Sequence, residues 1–358
     1  MEFAFEPNAA PVNANERLSR LVDPGFGRVF TDHMAMIRWS TAQGWHDAKI
    51  MPRGPLTLDP ATAVLHYAQE IFEGLKAYRL PDGALALFRP EANAARFARS
   101  AARLAMPALP EELFLASIRN LVLTDRDWFP DIDGGALYLR PFMFASEVFL
   151  GVRPAAEYLY LVIASPSGNY WKGGARAISI WVSDDYTRAA PGGTGAAKCG
   201  GNYAASLPAQ AQAVAQGCDQ VVFLDAVERR YVEELGGMNV FFVFDDGSLA
   251  TPPISGTILD GITRHSLIQL ARDEGLTVRE ELYAIDQWRV DAASGHLREA
   301  FACGTAAVVT AIGEVRSTAG SFTIGAGGPG QLTERLRDRL TGIQRGTVPD
   351  THGWVYRL

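Results

Sequence analysis

Residues 192–216 read GGTGAAKCGGNYAASLPAQAQAVAQ and place Lys198 on a glycine-rich turn directly before a helical segment. A lysine held on such a turn can point inward, where removal from water lowers the pKa of its amine and favours Schiff-base formation. Tyr203 is placed to reach the same pocket from the first turn of the helix. Ala197 and Cys199 stand where a nucleotide-binding phosphate loop has glycine and a hydroxyl residue. The stretch therefore favours lysine chemistry over nucleotide hydrolysis.

Two acidic residues further along the chain suit a positively charged ring. Glu233 and Glu234 lie in RRYVEELGGMNVFFVF (229–244), and an acidic side chain in so apolar a context is costly unless it meets a cation. A protonated pyridine nitrogen is such a cation, and a solvated pair at a strand edge is the alternative. ILDGITRHSLIQLARDEG (258–275) opens a helix at a glycine, and CGTAAV (303–308) follows a β-rich run. Either segment is placed to offer backbone N–H groups to a phosphate.

Length and composition restrict the class of protein. With 358 residues, of which 48% are hydrophobic and 20% charged, the chain is sufficient for about two globular domains. A net charge of -7 argues against a nucleic-acid partner, and three scattered cysteines argue against a disulfide framework. The histidines show no metal-ligand spacing, so no metal is expected. The absence of a long apolar run and of a signal-peptide pattern predicts a cytoplasmic protein without a membrane partner.

Strand and helix patterns divide the chain into two parts. LKAYR and ALALFR flank a Pro-Asp-Gly turn, which predicts a hairpin over 75–89, and Pro90 then suits the first turn of an Ala-rich helix. The segment PSGNYWKGGAR (166–176) is rich in turn residues. Strands and helices without a regular βαβ rhythm favour an α+β fold over a doubly wound sheet. The predicted division is an N-terminal domain at 1–166, an interdomain loop at 167–176 and a cofactor-binding domain at 177–358.

Motifs along nearly the whole chain resemble the branched-chain amino acid aminotransferases, fold type IV enzymes that use pyridoxal 5′-phosphate. The motifs that carry the resemblance are FTDHM (30–34), IFEGLKAYR (71–79), LFRPEANAARF (87–97), LYLRPF (137–142), KCGGNYAAS (198–206), EELGGMN (233–239), TPPISGTILDGITR (251–264) and ACGTAAVV (302–309). The resemblance implies a smaller N-terminal α/β domain, a larger C-terminal domain with a pseudo-barrel, and the cofactor between them.

For the cofactor, the resemblance implies a role for each matching residue. Lys198 resembles the Schiff-base lysine that moves a proton between Cα and C4′, and Tyr203 resembles the partner of the phenolate oxygen. Glu234 resembles the partner of the pyridine nitrogen, which leaves Glu233 as its solvent-side neighbour. The implied phosphate contacts are the Arg96 side chain, the backbone N–H groups of Ile262 and Thr263, and the Thr305 hydroxyl.

For the substrate, the resemblance implies an aromatic pocket with one arginine at its rim. The residues that resemble the walls of this pocket are Phe26, Tyr67, Tyr138, Arg140 and Tyr170. Leu150 and Val152, and Tyr67 with them, resemble residues donated by a neighbouring subunit, which implies a homodimer with shared active sites. The backbone of Gly237, Thr305 and Ala306 resembles the α-carboxylate site.

Such a pocket suits two kinds of side chain. Buried hydrocarbon is stabilised by about 25 cal/mol per Å², and an arginine gives a carboxylate a charged hydrogen bond. Tyr138 and Arg140 alternate along one predicted strand and therefore face the same side. A tyrosine packed in the core of that strand is the alternative for Tyr138.

The implied function is transfer of the amino group of L-leucine, L-isoleucine or L-valine to 2-oxoglutarate, which gives branched-chain 2-oxo acids and L-glutamate by ping-pong kinetics. D-amino acid aminotransferase and aminodeoxychorismate lyase of the same fold are alternatives, and a non-catalytic binding protein is a third. The motifs IFEGLKAYR and LYLRPF fit the first two alternatives less well than they fit the branched-chain family. A binding protein would not need Lys198, Tyr203 and Glu234 together.

Overall fold

The structure is a computed structural model that describes residues 1–168 and 176–358. The chain forms two compact units, each assembled from separate segments. Unit 1 combines Met1–Tyr170, Ala197–Gly200 and Ile343–Leu358, and unit 2 combines Trp171–Ala196 and Gly201–Gly342. The division at 1–166, 167–176 and 177–358 stays a prediction.

The described residues form eight α-helices. They are α1 (Ala14–Leu21), α2 (Val64–Tyr67), α3 (Pro90–Arg103), α4 (Glu111–Thr124), α5 (Gly200–Ala215), α6 (Ile262–Asp273), α7 (Ile285–Ser294) and α8 (Gln331–Gln344). The predicted start of α3 at Pro90 is confirmed, because proline has no N–H to lose at the first helical position. One face of α3 buries Ala94, Phe97 and Ala101, which recur at helical spacing. None of the described helices combines the length and the apolar character that crossing a membrane requires.

Strands make up most of both units. In chain order they are β1 (Ala4–Phe5), β2 (His33–Ser40), β3 (Gly44–Pro52), β4 (Glu70–Phe72), β5 (Leu75–Arg79), β6 (Leu85–Phe88), β7 (Ala136–Ala145), β8 (Glu157–Ser167), β9 (Ile178–Val182), β10 (Gln220–Leu224), β11 (Val232–Leu235), β12 (Asn239–Phe244), β13 (Leu249–Thr251), β14 (Val278–Glu280), β15 (Leu297–Gly304), β16 (Val308–Ser317), β17 (Gly320–Thr323) and β18 (Val355–Arg357). The predicted hairpin is confirmed, because β5 and β6 pair antiparallel.

The sheet of unit 1 runs in the order β1-β3-β2-β8-β7-β5-β6-β18, with β4 also paired to β7. Its described pairs are antiparallel apart from β1 with β3. Helices α3 and α4 share an apolar core with β7 and β8, in which the rings of Phe97 and Tyr160 meet edge to face at 5.6 Å. The burial of β7 along most of its length explains its nearly continuous apolar sequence.

The sheet of unit 2 runs in the order β11-β10-β9-β16-β15-β12-β13-β14, with β17 paired to β16. Its strands are mixed, because β9 pairs parallel with β10 and β16 while β12 pairs antiparallel with β15. Phe242 packs against Tyr283 at 4.4 Å and Trp288 at 4.8 Å between ring centroids. Two mixed sheets without a βαβ rhythm confirm the predicted α+β fold class.

Candidate active site

Lys198 lies in a segment of unit 1 whose backbone is fixed from two directions. Its N–H donates to the Ser100 hydroxyl at 2.9 Å, and its carbonyl accepts the N–H of Phe72 at 2.9 Å. Its neighbours Ala197 and Cys199 are buried in the apolar core of the unit. The Lys198 Nζ lies 4.7 Å from the centroid of the Phe72 ring, at a distance where the ring face attracts a cation. The fold therefore sets the position of the predicted catalytic amine.

Arg96 is almost wholly buried and is bound to a carboxylate that the sequence reasoning did not single out. Its Nε donates to Oε1 of Glu73 at 2.7 Å and its Nη2 to Oε2 at 2.8 Å. The Asn93 amide adds a hydrogen bond to the same carboxylate at 2.7 Å. Burial alone would raise the pKa of Glu73, but the charge and hydrogen bonds of Arg96, with the charge of Lys198, hold it below its ordinary value. Glu73 thus orients Arg96 and leaves it ionically paired.

Glu73→Gln is expected to destabilise the protein by about 3–5 kcal/mol at neutral pH, because it leaves the Arg96 guanidinium buried without its counter-charge. Since the pKa of Glu73 is lowered in the folded state, its stabilising effect is present above the unfolded value of about 4.3 and is lost as the pH falls through the folded value. Urea unfolding of wild type and variant between pH 3 and 8 measures both effects. The variant's loss should shrink towards acid pH.

The matched control for that experiment is Glu16→Gln, which removes one carboxylate from an exposed pair with Arg20. Such a pair contributes less than about 1 kcal/mol. Equal losses in the two variants, or a loss in Glu73→Gln that does not depend on pH, would contradict the assigned role.

Tyr138 and Arg140 lie together in unit 1, as the resemblance implied. The Arg140 Nη2 donates to the Tyr138 hydroxyl at 2.9 Å, and the guanidinium lies 4.7 Å from the centroid of Phe72 and 5.4 Å from that of Tyr138. Phe26 packs edge-on against Tyr138 at 4.8 Å between centroids. The Nε of Arg140 is buried and has no hydrogen-bond partner within residues 1–168 and 176–358. A buried donor without a partner has a hydrogen bond available for a ligand or an ordered water.

Gly74 explains why a glycine follows Glu73 in the motif IFEGLKAYR. A Cβ at this position would overlap the hydroxyl of Tyr138. The glycine therefore provides the space that the phenol needs in order to accept the hydrogen bond from Arg140.

Tyr67, Leu150 and Val152 lie on the surface of unit 1. Tyr67 is 41% exposed, Leu150 63% and Val152 90%, and the Tyr67 hydroxyl donates to the Leu150 carbonyl. In the described part of the chain no hydrogen bond or ring contact joins them to Tyr138 or Arg140. Tyr170 lies outside the described residues.

Glu234 is buried in unit 2 at the centre of a charged cluster. Its Oε1 lies 2.8 Å from the Arg188 Nη1 and accepts the Leu259 N–H at 2.8 Å. Both side chains of the ion pair are 2% exposed, and Arg188 also donates to the Thr257 carbonyl at 2.8 Å. Arg188 is therefore a cation beside Glu234 that the chain itself supplies. Sequence reasoning missed Arg188, although an arginine between apolar strands and a glycine-rich turn was the available signal.

Glu233 is not the solvent-side neighbour that the resemblance implied. It is buried, its Oε1 accepts a hydrogen bond from the Thr257 hydroxyl, and its Oε2 has no partner within the described residues. Burial raises the pKa of Glu233. The prediction of exposure was wrong because β11 is buried along its whole length. Both faces of this strand are therefore shielded from water.

Other predicted contacts of unit 2 lie at backbone positions that suit an anion. Helix α6 begins at Ile262, so the N–H groups of Ile262 and Thr263 belong to the first turn, where helices leave donors unpaired and anions are stabilised. Thr305 and Ala306 lie in the turn between β15 and β16. A Cβ at Gly237 would lie 3.7 Å from the Tyr203 ring, so this glycine and the ring are neighbours. No cluster of His, Cys, Asp and Glu suited to a metal occurs in the described residues.

Each unit taken by itself offers groups that suit part of a phosphate-bearing aldehyde with a ring nitrogen. Unit 2 offers a helix start for a phosphate and the buried Glu234 carboxylate for a protonated ring nitrogen. Unit 1 offers the Lys198 amine for the aldehyde carbon.

Comparison with known proteins agrees with this donor set. Residues 70–315 match the family model of amino-transferase class IV. The branched-chain-amino-acid aminotransferase of Mycolicibacterium smegmatis is 58% identical over 100% of this chain and 98% of its own length. The solved Escherichia coli branched-chain amino acid aminotransferase has a TM-score of 0.74 at 28% identity and covers 90% of this chain and 99% of its own.

A solved branched-chain amino acid aminotransferase of T.th. with pyridoxamine 5′-phosphate has a TM-score of 0.74 at 30% identity and covers 90% of this chain and 98% of its own. Further structures of it carry N-(5′-phosphopyridoxyl)-L-glutamate and 4-methylvaleric acid. The chain therefore belongs to the class IV aminotransferase family and has its two-domain type IV fold. Its activity is that of a branched-chain-amino-acid transaminase, an enzyme that depends on pyridoxal 5′-phosphate.

Proposed function

We propose that the enzyme reversibly transfers the amino group of L-leucine, L-isoleucine or L-valine to 2-oxoglutarate by ping-pong kinetics. The observation that carries this proposal is Arg140, a guanidinium between aromatic rings whose buried Nε has no partner within the described residues. The rings suit an aliphatic side chain, and Arg140 suits the second carboxylate of glutamate or 2-oxoglutarate. The two ligands of the T.th. enzyme carry the same two kinds of side chain.

Different residues of the chain have different roles in the proposed reaction. Bound pyridoxal 5′-phosphate supplies the electron sink for the negative charge that forms at the substrate Cα. Lys198 would hold the cofactor through its amine and would move the proton between Cα and C4′. Glu234, which is paired with Arg188 and accepts the Leu259 N–H, would hold the proton on the ring nitrogen.

The remaining predicted contacts hold the two ends of the ligands. Arg96, the backbone N–H groups of Ile262 and Thr263, and the Thr305 hydroxyl bind the phosphate, while Tyr203 binds the phenolate oxygen. The backbone of Gly237, Thr305 and Ala306 binds the α-carboxylate of the substrate.

The proposal includes a homodimer. The exposed apolar side chains of Tyr67, Leu150 and Val152 support it, because they leave hydrophobic surface that a second copy of the chain would cover. In that dimer they would complete the neighbouring active site. A cytoplasmic location stays a prediction.

Arg140→Met is expected to raise KM for 2-oxoglutarate and L-glutamate by about 10- to 100-fold, because a hydrogen bond to a charged group contributes about 1.5–3 kcal/mol. KM for L-leucine and its 2-oxo acid should change by less than about threefold, since methionine preserves apolar volume. Steady-state kinetics in both directions measures the difference. Equal losses for all four substrates would contradict a carboxylate role for Arg140.

Visible absorbance of the purified holoenzyme tests the proposed function directly. L-Leucine should bleach the band of the lysine-linked cofactor, and 2-oxoglutarate should restore it, because each substrate performs one half-reaction. Bleaching by D-alanine and not by L-leucine would favour the D-amino acid aminotransferase. A band that neither amino acid changes would overturn the proposal.

A further inference from the structure

A short segment of unit 2 connects the two buried carboxylates of β11 to Arg188. The Thr257 hydroxyl donates to Oε1 of Glu233, and the Thr257 carbonyl accepts a hydrogen bond from Arg188 at 2.8 Å. Two residues later, the Leu259 N–H donates to Oε1 of Glu234 at 2.8 Å. The segment therefore contacts Glu233 through a side chain, and its backbone contacts both members of the Arg188–Glu234 ion pair.

The segment from Thr257 to Leu259 is buried, and close neighbours fix its backbone. A Cβ at Gly195 would overlap the Thr257 carbonyl oxygen, so this carbonyl has room because residue 195 is a glycine. The Leu259 carbonyl accepts a hydrogen bond from the Asn239 amide at 3.0 Å. The hydroxyl of Thr257 on Glu233 adds a side-chain anchor at the start of the segment.

We propose that Thr257 is a positioning residue for the ring-nitrogen site, and that Glu233 serves as its anchor. Because Glu233 binds its hydroxyl, Thr257 presents its carbonyl to Arg188 in a fixed position. The same anchor sets the place of the Leu259 N–H. Those two groups in turn orient the Glu234 carboxylate, and a charge is most effective when its surroundings hold it in place. This inference rests on the proposed role of Glu234.

Thr257→Val tests the anchor, because valine has nearly the shape of threonine and lacks the hydroxyl. The other neighbour of that hydroxyl is the Ser255 hydroxyl at 2.7 Å, which belongs to an exposed residue and can bond to water instead. Steady-state kinetics of the full-length holoenzyme measures the effect. We expect kcat to fall about 3- to 10-fold, as loss of one hydrogen bond predicts.

A second readout needs no substrate. The visible band of the lysine-linked cofactor changes with pH when the nitrogen of that link loses its proton, and a proton on the ring nitrogen disfavours this second positive charge. A displaced Glu234 would hold the ring proton less well. The pH midpoint of the band should therefore rise in Thr257→Val, by about 0.5 pH unit or more. A loss of stability alone would not move this midpoint.

Two further variants act as controls. Thr257→Ser keeps the hydroxyl and should recover most of the loss in kcat and most of the shift in the midpoint. Thr333→Val removes a matched hydroxyl, which is buried in unit 2 and donates to Glu299 at 2.7 Å at the start of α8. It should leave kcat and the midpoint unchanged. A Thr257→Ser variant that behaves like Thr257→Val would contradict the anchor.

A double-mutant cycle separates this inference from the proposed function. With Glu234→Gln already present, Thr257→Val should change kcat and the midpoint no further, because both substitutions act on one carboxylate. If Glu234→Gln lowers the rate while the effect of Thr257→Val is fully additive, or the midpoint of Thr257→Val stays at the wild-type value, the role of Thr257 is overturned and that of Glu234 stands. If Glu234→Gln changes neither rate nor midpoint, the proposed ring-nitrogen site itself is wrong.

Discussion

Replacing Lys198 with alanine is expected to lower kcat by at least about 10⁴-fold, the largest loss among the changes considered. A single amine is assigned both the covalent link to the cofactor and the proton transfer at Cα and C4′, so its removal ends both. The surrounding structure should persist, because the bonds to the Ser100 hydroxyl and the Phe72 N–H belong to the backbone of residue 198.

Two readouts distinguish this loss from misfolding. The visible band of the lysine-linked cofactor should be absent, and added methylamine should restore part of the proton transfer because it supplies a free amine. Lys49→Ala is the control, because Lys49 pairs with Glu6 and Asp47 and has no assigned role in the chemistry. This variant should retain normal turnover. Near-normal activity of Lys198→Ala would remove Lys198 from the mechanism.

Glu234→Gln is expected to lower kcat by about 10²- to 10⁴-fold, because an amide cannot hold the proton on a ring nitrogen as a carboxylate does. The same change leaves Arg188 buried without its counter-charge, which costs about 3–5 kcal/mol of stability. Rate and stability therefore fall together in this variant, and both must be measured, by steady-state kinetics and by urea unfolding.

Two further variants distinguish the loss of rate from the loss of stability. Glu233→Gln changes the adjacent buried carboxylate, which has no ion pair in the part of the chain that the structure describes, and should lower kcat by less than about tenfold. The double variant Arg188→Met/Glu234→Gln removes both charges and should recover much of the stability without recovering the rate. A double variant that regains the rate would show that Glu234 acts only on folding.

The sequence arguments for Lys198 and Glu234 each depend on a local rule. Lys198 follows from glycines beside a lysine at a helix start, and Glu234 from an acidic side chain inside an apolar run. The partner of Glu234 could not be predicted in the same way, because Arg188 meets it only after the strands of unit 2 have assembled. Glu73 obeys the rule that applies to Glu234, and the apolar motif around it was a signal of the same kind.

Other errors arise where tertiary structure overrides a local pattern. The predicted exposure of Glu233 was wrong because β11 is buried along its whole length. The assignment of residues 197–200 and 343–358 to unit 1 depends on contacts between distant parts of the chain, which no local pattern encodes. The α+β class was predictable, since it needs only the order and type of elements.

The pairing of β18 with β6 has a consequence for the growing polypeptide. Strand β6 is apolar, and β18 covers its outer edge, yet the ribosome makes β6 long before residues 355–357. Until those residues emerge, the nascent chain presents an open row of N–H and C=O groups of the kind that recruits foreign strands. The brevity of β6 limits that exposure, and arrival of β18 closes the edge. Protection against premature association is therefore acquired only after residues 355–357 have been made.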